Sequence, residues 1–226
     1  QRLFQKQVCT KENNMITLYD YLPSQNAWKV RQLFKLLDQS YQQEFVSIFE
    51  GEGHSDAYRA INPWGAVPAI RLEDGRVLSE SNAILWYLSE GSPYRPVDRF
   101  EAAKVMQWLS FEADYVQTSV GSLRYWALTD KLDTRSPELI AGKRAIAERA
   151  LAILDDELKS RPFIAGESMT IADISLFAYA HRANEADIAT NALPSFLAWT
   201  DRIRAHRDFL AEMHPYSIDP HSSGEL

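Results

Sequence analysis

Asn62-Pro63-Trp64-Gly65-Ala66-Val67-Pro68-Ala69-Ile70, followed by Glu80-Ser81 at the head of a helical pattern, decides the reading of the fold. Residues 67–72 read as a buried strand, yet Pro68 stands near its start. A proline donates nothing to a ladder, so it belongs at a strand end or an exposed edge. An X-Pro bond can also be cis, which turns the Val67 carbonyl and amide outward. An outward edge of that kind pairs with the backbone of an extended peptide. Asp74-Gly75 then signals a two-residue hairpin, residues 76–78 a short strand, and Ser79-Glu80-Ser81 the start of a helix. Free amides and the positive dipole end of a helix start suit a carboxylate. A peptide-pairing edge beside such a helix start points to a site for a small acidic peptide.

Upstream, Ile16 and Leu18 alternate against Thr17 and Tyr19 as in a strand over residues 15–21. Pro23-Ser24-Gln25-Asn26 makes a turn, and Ala27, Val30, Leu33, Phe34 and Leu37 share one face of a helix. Residues 44–49 read as the second strand. Strand, helix, strand, loop, strand, hairpin strand and helix make an α/β unit with one helical crossover. Residues 91–96, Gly-Ser-Pro-Tyr-Arg-Pro, break the pattern as a linker.

Beyond the linker the chain reads as helical. Residues 97–127 carry Trp108, Phe111 and Tyr115 at helical spacing. Ser136-Pro137 caps a helix running to about Leu158. Thr170 and Asp173 form a capping box with Asp in place of Glu, and Met169 with Ile174 fits a hydrophobic staple. Leu193-Pro194-Ser195 opens a last helix, to about His206.

The 226 residues suit one large domain or two smaller ones, and 46% hydrophobic content is ample for a packed core. A net charge of −7 argues against nucleic acid and anionic membrane as partners but leaves room for a local basic pocket. The single cysteine, Cys9, allows no internal disulfide and points to a reducing compartment. No apolar run reaches the length of a membrane span. Residues 1–14 lack a signal-peptide core. Met15 reads as a natural start, so residues 1–14 are expected to be a flexible extension and residues 214–226 a weakly ordered tail.

Three blocks, NPWGAVPAI at 62–70, SESNAILWYL at 79–88 and residues 163–173, stand in an order and spacing that resembles the glutathione transferase superfamily. The likeness runs from Met15 to about residue 213. It implies an α/β thioredoxin-like N-terminal domain (15–92) followed by an all-α C-terminal helical domain (97–213). The chain is similar to the serine-type enzymes: theta-like in Ser24-Gln25, zeta-like in Trp28-Lys29-Val30-Arg31, nu-like in Asn26. The resemblance further implies a cytoplasmic homodimer acting in detoxification. Glutathione would be its co-substrate, with no metal and a small electrophile or disulfide as second substrate.

Glutathione chemistry needs a thiolate, and a free thiol of pKa ~8.5 is mostly protonated at neutral pH. Hydrogen bonds to the charged form and a helix N-terminus both lower that value. The resemblance makes Ser24 the donor to sulfur, although locally it also fits a plain helix cap. Asn26 would be a second donor or a turn residue. Val67 would pair with the cysteinyl backbone, with Pro68 cis. Ser81 would hold the γ-glutamyl carboxylate and Glu80 would accept from the amino group. The glycine end departs from the family pattern: Ala66 and Gly53 stand where many relatives carry a basic or amide side chain and a histidine. His54 either substitutes from one position along or is a surface residue. Lys29 is expected on a solvated helix face, with the glycyl carboxylate as its alternative partner. Asp173 resembles the family's helix-capping aspartate and is assigned to folding.

The second-substrate pocket is expected between the domains, with Tyr115, Tyr125 and Trp126 as its candidates. Trp108 and Phe111 are read as core or dimer surface, and Trp64 as an exposed residue packing on a partner subunit. Without Cys-x-x-Cys, a dithiol oxidoreductase is excluded. A glutathione-dependent disulfide reductase of the nu type stays open. So does a noncatalytic scaffold, because the glycine-end contacts are missing. A zeta-type isomerase fits less well, since Ser24-Gln25-Asn26 replaces that group's Ser-Ser-Cys.

Overall fold

The computed structural model describes residues 15–212 and 214–216. The expected extension 1–14, with Cys9, and the expected tail beyond Tyr216 lie outside the described residues. Four strands, Thr17–Asp20 (β1), Gln42–Phe45 (β2), Ala69–Arg71 (β3) and Val77–Ser79 (β4), form one sheet in the order β2-β1-β3-β4. Helix Gln25–Leu36 (α1) carries the crossover from β1 to its parallel neighbour β2. β1 pairs antiparallel with β3, and β3 with β4 across the Asp74-Gly75 hairpin. The second strand lies earlier than the expected 44–49. Val46 instead buries itself against the sheet, and Ile48–Glu50 winds into a 3₁₀ turn whose Phe49 stacks on Tyr125 of the helical half.

Alternation along the strands gives the sheet two apolar faces. Ile16, Leu18 and Ile70 pack on Val30 and Phe34 of α1 and on Ile84 of helix Ser81–Leu88 (α3). Tyr19, Val46, Val67 and Ala69 pack on the opposite side, with Tyr58 of the short helix Asp56–Arg59 (α2).

The second half consists of Arg99–Phe111 (α4), a π-helical stretch Glu112–Gly121, Ser122–Leu128 (α5), Pro137–Leu158 (α6), Ile171–Ala180 (α7) and Pro194–Arg204 (α8). The expected unbroken helix over 97–127 is therefore widened in its middle, where i→i+5 bonding replaces i→i+4. Every residue of α7 is buried, which makes it the axis of this half. Its start is held by Asp173, which accepts from the Ile164 amide (2.8 Å), the Thr170 amide (2.8 Å) and the Trp199 indole (2.9 Å).

Helix α1 makes the most extensive contact between the halves. Its Trp28 ring lies 5.6 Å from Phe177 of α7, and the Trp28 indole donates to the Leu210 carbonyl at 3.0 Å. The Gln32 amide donates to the Asp208 carbonyl (2.9 Å) and accepts from the Leu210 amide (2.7 Å). The face expected to be solvated is covered, and Lys29 is fully buried.

His181, at the C-terminal cap of α7, stacks on Phe177 with ring centroids 4.0 Å apart. Burial pushes its pKa down to about 3. An unfolded histidine titrates near ~6.5. Between those two values the unfolded chain holds one proton more than the native one, so stability falls as pH falls through that window. The slope is at most about 1.4 kcal/mol per pH unit. His181→Phe is expected to shrink the loss of urea stability between about pH 7 and about pH 4; an unchanged loss would refute the assignment.

Candidate functional site

A cleft of about 290 Å³ lies between the Val67 side of the sheet and the helical half. Ser24, Asn26, His54, Trp64 and Val67 line one wall, and Gly121, Tyr125, Tyr179 and Tyr216 the other. Two further hollows of about 360 Å³, one beside Lys35 and Tyr41 and one beside Trp28 and Phe209, contain none of these groups.

The loop from Asn62 to Pro68 is held rigidly. The Gly65 amide bonds the Asn62 carbonyl at 2.9 Å, and Gly65 has φ +69°. A Cβ on Gly65 would stand 2.6 Å from the Gly53 carbonyl, so the two backbones meet only because both residues are glycine. The Ala66 carbonyl accepts from the Tyr58 hydroxyl (2.7 Å) and the Asn62 side-chain amide (2.8 Å). Burial pushes Tyr58 up to about 12, so it remains a donor. The Val67–Pro68 peptide is cis, and the Val67 amide and carbonyl have no hydrogen-bond partner among the described residues.

Ser24 is the N-cap of α1, its oxygen accepting from the Ala27 amide at 3.2 Å. That bond occupies a lone pair and leaves the hydroxyl proton available to the cleft. The Asn26 side-chain oxygen accepts from the Ser81 hydroxyl at 3.4 Å, which leaves the Asn26 amide without a partner among the described residues. Capping and donation are thus compatible in the same side chains. Glu80, at the head of α3, is exposed and has φ +69° and ψ +114°, a conformation costing of order 1–3 kcal/mol in a non-glycine residue. Ser81 is buried behind Asn26. His54 is exposed at the rim, with its Nδ1 3.0 Å from an Arg59 nitrogen.

Residues 23–90 match the family model "Glutathione S-transferase, N-terminal domain", and residues 137–202 match "Glutathione S-transferase, C-terminal domain". Glutathione S-transferase 1 of Schizosaccharomyces pombe is 31% identical over 174 residues, covering 72% of this chain and 73% of that protein. This chain belongs to the glutathione transferase family. A probable maleylacetoacetate isomerase 2 of Drosophila melanogaster is 28% identical across 92% of this chain and 91% of its own length. The crystal structure of a glutathione S-transferase from Pseudomonas fluorescens matches with TM-score 0.84 and 31% identity, covering 87% of this chain and 98% of that one. The thioredoxin-like domain followed by a helical domain is the architecture of these structures.

Within this transferase fold, the expected second-substrate candidates separate. Tyr125 lines the cleft; Tyr115 and Trp126 do not. Tyr115 is 49% exposed and packs on Phe111, while Trp126 is buried, with Lys143 and Arg135 over its ring. Trp108 joins the helical core, as expected, and Trp64 is 67% exposed.

Three groups escaped the sequence reading. The Lys29 ammonium lies 2.9 Å from Glu112 and 3.4 Å from the Ser81 hydroxyl, with both members of the ion pair at 0% exposure. Burial pulls the Lys29 pKa down and the Glu112 carboxylate opposes it. The second Glu112 oxygen accepts from Asn82 (3.0 Å) and Ser175 (3.1 Å). Tyr179, within an apolar run, reads from sequence as plain core, yet it reaches the cleft. Tyr216 falls in the expected weak tail, yet its ring packs on Phe49 and its hydroxyl accepts from Arg124 at 2.9 Å.

Lys29→Met strands the Glu112 carboxylate, and the expected loss of stability is about 3–5 kcal/mol. The double variant Lys29→Met/Glu112→Leu is expected to recover most of it. Urea unfolding of the three proteins tests the pair, and a single variant as stable as wild type would contradict it.

Proposed function

We propose that this protein binds glutathione in the cleft and holds its sulfur as a thiolate for attack on a small electrophile. The observation that carries the reading is the set of unsatisfied donors: the Ser24 hydroxyl proton and the Asn26 amide, beside an unpaired Val67 backbone. The thiol end of the tripeptide meets Ser24 and Asn26 at the start of α1. Two donors and a helix N-terminus favour the charged sulfur. Ser24 donates a hydrogen bond and does not act as a nucleophile. The cysteinyl backbone pairs with Val67 beside cis-Pro68. The γ-glutamyl carboxylate takes the Ser81 hydroxyl and helix-start amide, above the buried Lys29 charge, and its ammonium meets Glu80. At the glycine end, Ala66 and Gly53 offer no side-chain donor, and His54 is the lining side chain left for that carboxylate.

A second reading, glutathione-dependent disulfide reduction, is favoured by Asn26 alone: its free amide can steady a thiolate, and the reaction needs no protein thiol. A noncatalytic scaffold has no use for the unpaired donors. The proposal places the enzyme in the cytoplasm, in detoxification, as a homodimer in which Trp64 packs on the partner subunit. A solution mass corresponding to a monomer would remove the dimer from it.

Thiolate absorbance of bound glutathione, followed against pH, tests the central claim. Wild-type protein is expected to lower the thiol pKa from ~8.5 by at least about one unit, and Ser24→Ala to return it toward that value with a loss in kcat of about 10²-fold. Failure to bind glutathione at millimolar concentration would overturn the reading. Once thiolate is seen, rates with an aryl halide and with a mixed disulfide divide transferase from reductase.

A further inference from the structure

A hollow of about 360 Å³ lies apart from the cleft, walled by Gln25 and Trp28 of α1, His181 and Arg182 just after α7, Arg204 at the end of α8, and Phe209. Among the described residues none lines both cavities, so the glutathione reading leaves this one unused. Its size suits a small organic ligand. The Trp28 indole hydrogen is committed to the Leu210 carbonyl, and the ring centroid stands 6.3 Å from that of His181 and 6.0 Å from that of Phe209. Three rings thus surround the space, and a flat aromatic body packs well among them.

The polar groups say what that body must carry. Nδ1 of His181 faces the Phe177 carbonyl. A carbonyl only accepts, so Nδ1 holds the hydrogen, and in the neutral ring Nε2 is an acceptor. Burial pushes the pKa down to about 3, which keeps the ring neutral at physiological pH. Nε2 has no hydrogen-bond partner among the described residues and is not sealed from solvent. Arg182 is spent on Glu185, which it holds through two nitrogens at 2.7 and 3.0 Å, and Arg124 gives the same carboxylate a second cation. Arg204 is looser. Thr200 and Asp201 both stand 3.4 Å from it, and the pair with Asp201 is exposed. Such a pair is worth little, so the guanidinium is open to another anion. Glu212 also lines the hollow and is exposed, and its charge works against a bare inorganic anion. Retention therefore depends on the rings. Arg204 and His181 both lie against the Phe177 ring, at 5.7 and 4.0 Å, so a donor for Nε2 and an anion for Arg204 belong on one small molecule.

We propose that this hollow binds a phenolic carboxylic acid, its ring against Trp28 and Phe209, its hydroxyl donating to His181 Nε2 and its carboxylate on Arg204. The site stands independently of the glutathione reading. Arg182 and Glu185, satisfied by each other, line it without selecting the ligand. An aromatic acid that lacks the hydroxyl leaves Nε2 unpaired. A phenol that lacks the carboxylate leaves Arg204 unpaired. Selection is for both functions on one ring.

Calorimetric titration with 4-hydroxybenzoate tests the site. One molecule is expected to bind per chain, with the same affinity in the presence and absence of millimolar glutathione. Benzoate, without the donor, is expected to bind about fivefold more weakly, and 4-hydroxybenzyl alcohol, without the charge, about tenfold more weakly or worse. His181→Phe keeps a ring and removes the acceptor, so 4-hydroxybenzoate and benzoate are expected to bind it alike. Arg204→Gln is expected to level 4-hydroxybenzoate with the alcohol. A wild type that takes up no 4-hydroxybenzoate at millimolar concentration, displacement of that ligand by glutathione, or equal affinity for all three compounds overturns the inference. The ligand comparison needs only wild-type protein, so misfolding of a variant leaves the test decided. Nitrogen NMR of the wild type adds a direct check. The His181 ring is expected to carry its hydrogen on Nδ1, with Nε2 shifting on addition of 4-hydroxybenzoate and not of benzoate; a hydrogen on Nε2 refutes the contact.

Discussion

Lys29 and Glu112 face each other at 2.9 Å with no access to water, one from α1 of the sheet domain and one from the first π turn of the helical domain. Taking either charge out of water alone costs several kcal/mol, so the halves are held in the register that keeps the two together. Asn82 of α3 and Ser175 of α7 close the remaining valences of Glu112. Apolar contacts such as Trp28 on Phe177 supply bulk attraction without direction, and they would tolerate a small slide. The ion pair would not. Because the cleft has one wall on each domain, its width and the facing of Ser24 toward Tyr179 are consequences of that register.

On the sheet side, the groups offered to the cleft are backbone and short side chains whose positions are set by hydrogen bonds on their far side. Ser24 is fixed by the cap it makes with Ala27, Asn26 by Ser81, and Val67 by the two donors that grip the Ala66 carbonyl. Each of these bonds consumes an acceptor and leaves a donor, or in Val67 a whole peptide edge, facing the cavity. Pre-set donors need no reorganisation when charge appears, which is the property a thiolate site requires. The Gly53–Gly65 contact serves the same end, since a side chain at either position would force the two loop backbones apart.

What was legible in the sequence obeys short-range rules. Pro68 marks a strand end, Asp74-Gly75 a hairpin, Ser136-Pro137 a helix start and Thr170 with Asp173 a cap, and the structure has each of them in place. Lys29 was misread because amphipathic reasoning grants a helix one wet face, and α1 is covered on both sides by segments far away in the chain. Tyr115 and Trp126 fall outside the cleft lining for a different reason. Positions on a helix are extrapolated with a period of 3.6 residues, but Glu112–Gly121 winds more widely, so every residue after Phe111 is rotated from where that period puts it. The second strand came out late because Val46 and Phe49 look like ladder residues, whereas Val46 anchors the loop against the sheet and Phe49 turns to the helical half.

The same rotation bears on specificity. The π stretch ends at Gly121, and the ring of Tyr179 occupies the space that a side chain there would fill. The helical wall of the cleft is therefore set by the phase of one helix against another, a property no local motif records. The sheet wall is set by a nine-residue loop and two helix caps that any family member can keep intact. Two proteins of this fold can share every residue that would hold the tripeptide and still present different groups to the second substrate. The wall opposite the proposed tripeptide site is then decided by which residues the widened helix allows to reach the cavity, here Gly121 and Tyr125 beside Tyr179 of α7.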